Sequence, residues 1–258
     1  MGSMPAALTI PLKLSTARLQ CSPLLARPDE MCGRFSQFHS WREVHTYLNV
    51  CGPARNLPAR YNVAPTQEAA VVRQGTKGRA LDFLRWGLVP SWAKDSSMAA
   101  RMINARAETV AHKPSFRSAF HKRRCLVPAD GFYEWRGTEG AKQAYRIFSP
   151  DRGVLAFAGL WERCEKCYGE PFERFTIITT EANSKLAPLH ARMPVILDPV
   201  DFEYWLSPDL VANDAQALLR PAPNDDVEFH AVSKHVNNVR NDDPGCIEPL
   251  SEDQDSDV

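Results

Sequence analysis

The chain has 258 residues, of which 44% are hydrophobic, and its 31 basic side chains are balanced by 31 acidic ones. That supplies a buried core for one large or two small domains, while the zero net charge excludes an all-over basic coat and leaves room only for a local basic face. No apolar run approaches the ~18 residues that span a bilayer, and seven cysteines at irregular spacings favour reduced thiols and a cytosolic setting over a disulfide scaffold.

Residues 1–30 differ from the rest: they carry Lys13, Arg18 and Arg27 and no acid before Asp29. The composition resembles a targeting peptide, but Pro11, Lys13 and Arg18 break the apolar stretch that a secretory signal needs. The expectation is a disordered leader or a mis-assigned start, with Met31 as the working start. From Met31 to about Leu250 the chain reads as one continuous domain. Ser40 to Glu43 has capping-box spacing, with Val44, Tyr47 and Leu48 on one helical face behind it. Cys51 to Pro65, with three prolines, reads as a loop. Ala69–Arg73 and Ala80–Trp86 read as strands joined by the glycine turn at Gly75 and Gly78. Phe132–Trp135, Ala144–Phe148, Val154–Trp161 and Phe172–Thr179 are further strands. Asp198-Pro199 opens a helix through Trp205; Val211–Leu219 is a second, and Val227–Val232 a late strand. Many strands with few helices predict an α+β single domain around a largely antiparallel, barrel-like sheet with flanking helices. From Asn241 onward there are seven acids and no Lys or Arg, which predicts a disordered acidic tail, its last part 251–258 outside the domain.

Four stretches hold residues able to do chemistry. If Met31 is the start and is trimmed, Cys32 carries a free amine of pKa ~8 beside a thiol of pKa ~8.5. An aldehyde meeting that pair forms an imine and then closes a five-membered thiazolidine ring; taken alone, most free cysteines are inert core residues. Residues 101–124 hold Arg101, Arg106, Lys113, Arg117, Lys122, Arg123 and Arg124 against the single acid Glu108, a pattern that fits phosphate contact as well as a solvated face. Aromatic residues near it, Trp92 among them, suit base stacking, although core packing explains most aromatics equally well. Glu134 alternates with Tyr133 and Trp135 in a strand; a carboxylate among aromatics would acquire a raised pKa and acid–base competence, while taken alone it reads as an outward-facing strand residue. His190 precedes a proline-bounded turn and titrates near neutral pH. The Cys164-Cys167 spacing, with no second pair and no nearby His pair, is weak evidence for redox or zinc chemistry, and phosphate-loop and dinucleotide fingerprints are absent.

Six blocks in register resemble one family: Met-Cys-Gly-Arg-Phe at 31–35, Tyr-Asn-Val-Ala-Pro at 61–65, Arg-Trp-Gly-Leu-Val-Pro-Ser-Trp at 85–92, Asn-Ala-Arg-Ala-Glu-Thr at 104–109, Arg-Arg-Cys-Leu-Val-Pro-Ala-Asp-Gly-Phe-Tyr-Glu-Trp at 123–135 and His-Ala-Arg-Met-Pro at 190–194. Together they are similar to the SRAP family, the SOS-response-associated peptidases. The resemblance implies an abasic-site processing enzyme whose partner is single-stranded DNA carrying abasic sites, with no metal; no cofactor and no membrane are expected, and the chain is taken as a monomer in the cytoplasm. It implies that Cys32 bonds the abasic-site C1′, Asn104 positions the reacting groups, Glu134 shuttles protons and His190 assists imine formation and its reversal. Arg34, Arg106 and Arg192 are implied to hold phosphates, Trp92 to stack beside the lesion, and Asn62 and Pro65 to shape the pocket floor. Autopeptidase action on the leader and β-elimination at the lesion are implied as further activities. Rival readings are a thiol peptidase using Cys32 and His190 and a non-catalytic single-strand binder. Thirty residues ahead of Cys32 depart from the family pattern: unless Met31 is the start or the bond before Cys32 is cut, the Cys32 nitrogen is an amide and no thiazolidine forms.

Overall fold

The computed structural model describes residues 32–250 apart from 139, 166, 168 and 169; the leader expected over 1–30 and the tail over 251–258 lie outside the described residues. The short strand β1 (Phe35–Gln37) runs into helix α1 (Trp41–Leu48). Its start is the predicted capping box: the Ser40 hydroxyl accepts from the Glu43 N–H, and the Glu43 carboxylate accepts from the Ser40 N–H at 2.7 Å. Val44 and Leu48 then face the core. Ser40→Ala is expected to cost about 1 kcal/mol, read as a lower urea midpoint at constant slope; an unmoved midpoint would show that packing alone holds this helix.

Strand β2 (Arg60–Val63) lies inside the stretch expected to be a loop. Pro58 and Pro65 bound a segment just long enough to pair, and its partner, β1, is a tertiary fact that local propensity does not reveal. β3 (Glu68–Gly75) and β4 (Gly78–Trp86) form the predicted hairpin, in register from Glu68↔Arg85 to Gly75↔Gly78. Gly78 has φ 109°, and a Cβ there would stand 2.5 Å from Cys51 Sγ, so this turn requires glycine. β5 (Asn104–Arg106), α2 (Arg117–Lys122) and β6 (Arg124–Ala129) follow. β5 is too short to show a period, and β6 is buried along its whole length and so has no alternation to read. β7 (Gly131–Arg136), β8 (Gln143–Phe148), β9 (Leu155–Cys164) and β10 (Phe172–Glu181) match the sequence expectation. β11 (Arg192–Pro194) replaces part of the expected turn after His190. Asp198 caps the next element, accepting from the Val200 N–H at 3.0 Å, and the chain passes through a 3₁₀ turn into α3 (Phe202–Leu206). α4 (Ala212–Ala217) and β12 (Glu228–Val232) complete the order.

Five strands close on themselves: β10 pairs with β4, β4 with β3, β3 with β6, β6 with β9, and β9 with β10. Only the β10–β4 contact in this ring is parallel, so the barrel is largely antiparallel, as expected. β5 and β11 extend β10 beyond the ring. A five-stranded sheet, β12-β8-β7-β1-β2, packs beside it. One face of the ring (Val71, Trp86, Val127, Phe157, Phe175) meets Phe35 and Phe132 of that sheet. The alternate positions (Ala70, Val72, Leu126, Ala158, Leu160, Ile178) meet α1, α2 and α3 through Leu48, Phe120 and Trp205. The period-two alternation of the strands thus divides the apolar residues between two cores. No helix among the described residues is long and apolar enough to cross a membrane.

Two further expectations are corrected. The acidic stretch from Asn241 is ordered as far as Leu250: Asp242 accepts the Tyr61 and Asn62 N–H groups and pairs with Arg60, and the Leu250 N–H donates to Ala231 O at 2.9 Å. These acids serve as acceptors for specific donors, which composition cannot distinguish from solvated charge. Cys164 and Cys167, expected to be reduced, are joined as a disulfide at the end of the β9–β10 hairpin, where the chain brings their Cα atoms within 5.8 Å.

Candidate active site

Cys32 precedes β1 and is fully buried. The β1–β7 pairing, Phe35↔Phe132, and the Tyr133 N–H to Arg34 O bond of 3.0 Å carry Glu134 alongside it. The Cys32 backbone N–H donates to Glu134 Oε1 at 2.8 Å. Asn104 arrives on β5, set by the parallel register Ile177↔Asn104, and its Nδ2 reaches Cys32 O at 3.5 Å. His190 comes from the turn that leaves β10, with its own N–H held by Leu186 O at 3.1 Å and its Nδ1 4.0 Å from Glu134 Oε1. Sheet pairing and the turn after β10 therefore gather residues remote in sequence, with Glu134 at the Cys32 nitrogen, Asn104 at its carbonyl and His190 beside Glu134. Cys32 itself has φ 39°, a left-handed conformation costly for a residue with a side chain.

Burial dominates the electrostatics. It drives the Glu134 carboxyl up to about 8, against the opposing effects of the Cys32 N–H bond and the Lys142 charge, so Glu134 holds its proton at neutral pH. Burial, reinforced by the Glu134 charge, raises the Cys32 thiol. His190 is lowered, chiefly by burial and further by the Arg192 and Lys142 charges, and so is neutral at pH 7. His190 Nδ1 lies 3.2 Å from the Arg192 N–H and 3.4 Å from Arg192 O, so the Arg192 backbone fixes the ring in place. The site thus sets a protonated carboxylic acid and a neutral imidazole around a backbone nitrogen, an arrangement suited to acid–base chemistry at that nitrogen.

The residues expected to bind DNA fall into separate groups. Arg34 is tied into the protein: Nη1 donates to Asn62 Oδ1 at 2.7 Å and to Val236 O at 2.9 Å. Asn62 is buried and clamps the 236–241 segment through Asn241 O at 2.7 Å. Arg192 donates both prongs to Glu108, at 2.8 and 2.9 Å, and reaches Thr179 O at 2.7 Å. Arg106 lies next to this pair, opposite Thr179, exposed and without an ion pair among the described residues. Trp92 is 57% exposed on the loop after β4, and Pro65 is half-buried in the β2–β3 turn; neither bonds to the four central residues. Sequence reasoning did not single out Lys142, whose charge acts on both Glu134 and His190, nor the Glu108 clamp. The lone acid within a basic run was the only available signal for the latter.

Residues 31–239 match the family model described as SOS response associated peptidase (SRAP). The chain is 40% identical over 222 residues to the abasic site processing protein YoqW of Bacillus subtilis, covering 84% of this chain and 99% of that one. It is also 40% identical over 197 residues to the abasic site processing protein HMCES of Gallus gallus, covering 67% of this chain and 58% of the relative. A crystal structure of a Bacteroides thetaiotaomicron protein superposes with a TM-score of 0.76 at 27% identity, over 85% of this chain and all of that one. With the family model spanning most of the chain and these relatives aligned along it, the protein belongs to the SRAP family.

Proposed function

We propose that this protein processes abasic sites in single-stranded DNA by bonding the opened sugar to Cys32. The observation that carries the reading is the Cys32 nitrogen held 2.8 Å from a carboxyl that burial keeps protonated. In the open-chain form of the lesion C1′ is an aldehyde. The Cys32 amine adds to it, Glu134 gives its proton to the departing hydroxyl, and water leaves an imine. The thiol then adds to the same carbon and passes its proton to the nitrogen, closing a thiazolidine with the net loss of one water. Neutral His190 assists removal of the proton from the Cys32 ammonium, leaving the amine that attacks, and Asn104 holds the Cys32 carbonyl so that the thiol and amine share one face. The imine is also the species from which β-elimination proceeds, which gives the lyase activity. The chemistry requires a free amine, hence a start at Met31 with its removal or a cut before Cys32. In the second case the Cys32 thiol attacks the Met31 carbonyl, the peptide C–N bond breaks as the nitrogen takes the thiol proton, and water hydrolyses the resulting thioester to free both thiol and amine; the left-handed backbone at Cys32 favours the cut.

Arg106 is the phosphate contact best supported, since its guanidinium is exposed while those of Arg34 and Arg192 have protein partners. Arg106→Ala is expected to weaken binding across all sequences and to reduce the salt dependence by about 0.7 in log–log slope, one phosphate on a single strand; an unchanged slope would remove Arg106 from the interface. The function itself is tested by intact mass before and after incubation with an abasic single-stranded oligonucleotide. A species beginning at Cys32 that gains one oligonucleotide less one water supports it. A Cys32-terminated protein that gains nothing overturns it.

A further inference from the structure

We propose that His235, Asp243 and Cys246 form a binding site for a borderline-soft divalent cation, zinc in the first instance, separate from the Cys32 centre. One donor atom from each residue lies within 4.8 Å of the other two. His235 Nε2 and Asp243 Oδ2 are 2.9 Å apart. Zinc bonds of about 2.0–2.3 Å place tetrahedral ligands about 3.3–3.8 Å from one another, so side-chain adjustments of about 1 Å seat a cation among the three. An imidazole, a carboxylate and a thiol make a donor set that suits zinc and excludes magnesium and calcium, which take oxygen alone.

The backbone is built to hold this trio. His235 lies in the 3₁₀ turn Lys234–Asn237, and Cys246 ends the 3₁₀ turn Pro244–Cys246. Asp243 caps the second turn, accepting from the Gly245 N–H at 2.9 Å. Asn241 Nδ2 braces the first, at 2.9 Å from His235 O and 3.0 Å from the ring Nδ1. A side chain at 245 would invade the cradle, because a Cβ there would stand 3.0 Å from Asp243 Oδ1 and 3.8 Å from His235 Nε2. Cys246 Sγ is buried beneath, 3.4 Å from Asn241 O, and the His235 and Asp243 side chains are solvent-accessible, so the cation has an open approach and a fourth position for water. Binding at Nε2 moves the ring proton to Nδ1, so Asn241 Nδ2 gives up its contact with the ring and keeps the His235 carbonyl, and the thiol proton passes to solvent.

The carbonyls of this segment receive Arg34 and Asn62, so an occupied site braces the support beside Cys32 without touching the reacting groups. The full chain, kept reducing, is titrated with zinc against a chromophoric chelator and with cobalt, whose thiolate charge-transfer absorption reports sulfur ligation. The expected result is one tight zinc and a cobalt–thiolate band. His235→Ala, at an exposed position, and Cys246→Ser should each weaken zinc by more than the ~10–100-fold that losing an outer-shell partner costs, with the far-UV spectrum of each variant compared with the parent's, and Cys246→Ser should remove the cobalt band. Zinc affinity identical in the parent and both variants places the metal on other cysteines and overturns the proposal, as does the absence of tight binding in the parent.

Discussion

Replacing Cys32 by alanine is expected to eliminate the covalent adduct with abasic single-stranded DNA, with reversible affinity kept within about threefold, less than 1 kcal/mol. The side chain is fully buried, so its loss removes chemistry and leaves the basic surface as it was. Two companion variants separate the roles of amine and thiol. Cys32→Ser keeps the terminal amine and is expected to give an imine that borohydride traps but that dissociates when untreated, because a hydroxyl closes the ring far less readily than sulfur. One residue inserted before Cys32 keeps the thiol and blocks the amine, and is expected to give neither product. An adduct of undiminished yield on the alanine variant would assign the covalent bond to another residue.

Glu134→Gln is expected to slow adduct formation by about 10²–10³-fold, the scale of a positioned acid–base catalyst, with little change in DNA affinity. Glutamine still accepts from the Cys32 N–H but has no proton to give. The alkaline fall in rate that accompanies ionisation of Glu134 should be absent from the variant. Stability supplies an independent check. The folded carboxyl titrates at about 8 against an ordinary 4.5, so between those values the native protein keeps a proton that the unfolded chain has released. Native stability therefore declines as pH rises through that window, by up to roughly 5 kcal/mol in all, whereas the variant has no such penalty. Its thermal midpoint should exceed that of the parent most clearly above pH 8 and least near pH 4.5. Once the Cys32 amine is free, carboxyl and ammonium share a proton, which Glu134 takes up and returns to the departing hydroxyl, so the stability effect is largest in the chain where the preceding peptide bond is intact. Equal losses in binding and rate would make Glu134 a structural residue.

The long strands were legible because their hydrophobic alternation is local, and α1 was legible because Ser40 and Glu43 announce its first turn. The strands that build the site were not. β1, β5 and β11 have three residues each, shorter than any periodicity test, and exist because a neighbouring strand offers hydrogen-bond partners. Glu134 could be placed on a strand from sequence, but its environment depends on the β1–β7 register, a long-range pairing. Sequence reading named the four residues around the Cys32 nitrogen through the resemblance of motifs. It did not foresee that Arg34 and Arg192 spend their hydrogen bonds on Asn62 and Glu108, because an arginine in a basic run looks the same whether it faces solvent or a partner.

The placement of residues 241–250 bears on how copies of this chain avoid one another. The five-stranded sheet ends at β2 on one side and β12 on the other, and open strand ends are templates for intermolecular pairing. Asp242 occupies N–H groups of β2, while Pro249 bridges Val232 and the Leu250 N–H takes Ala231 O on β12. One segment thus closes both margins of the sheet. Loss of that clasp, by proteolysis or by a shortened reading frame, would leave a barrel still closed and still able to fold, but with two adhesive borders that recruit further copies into aggregates.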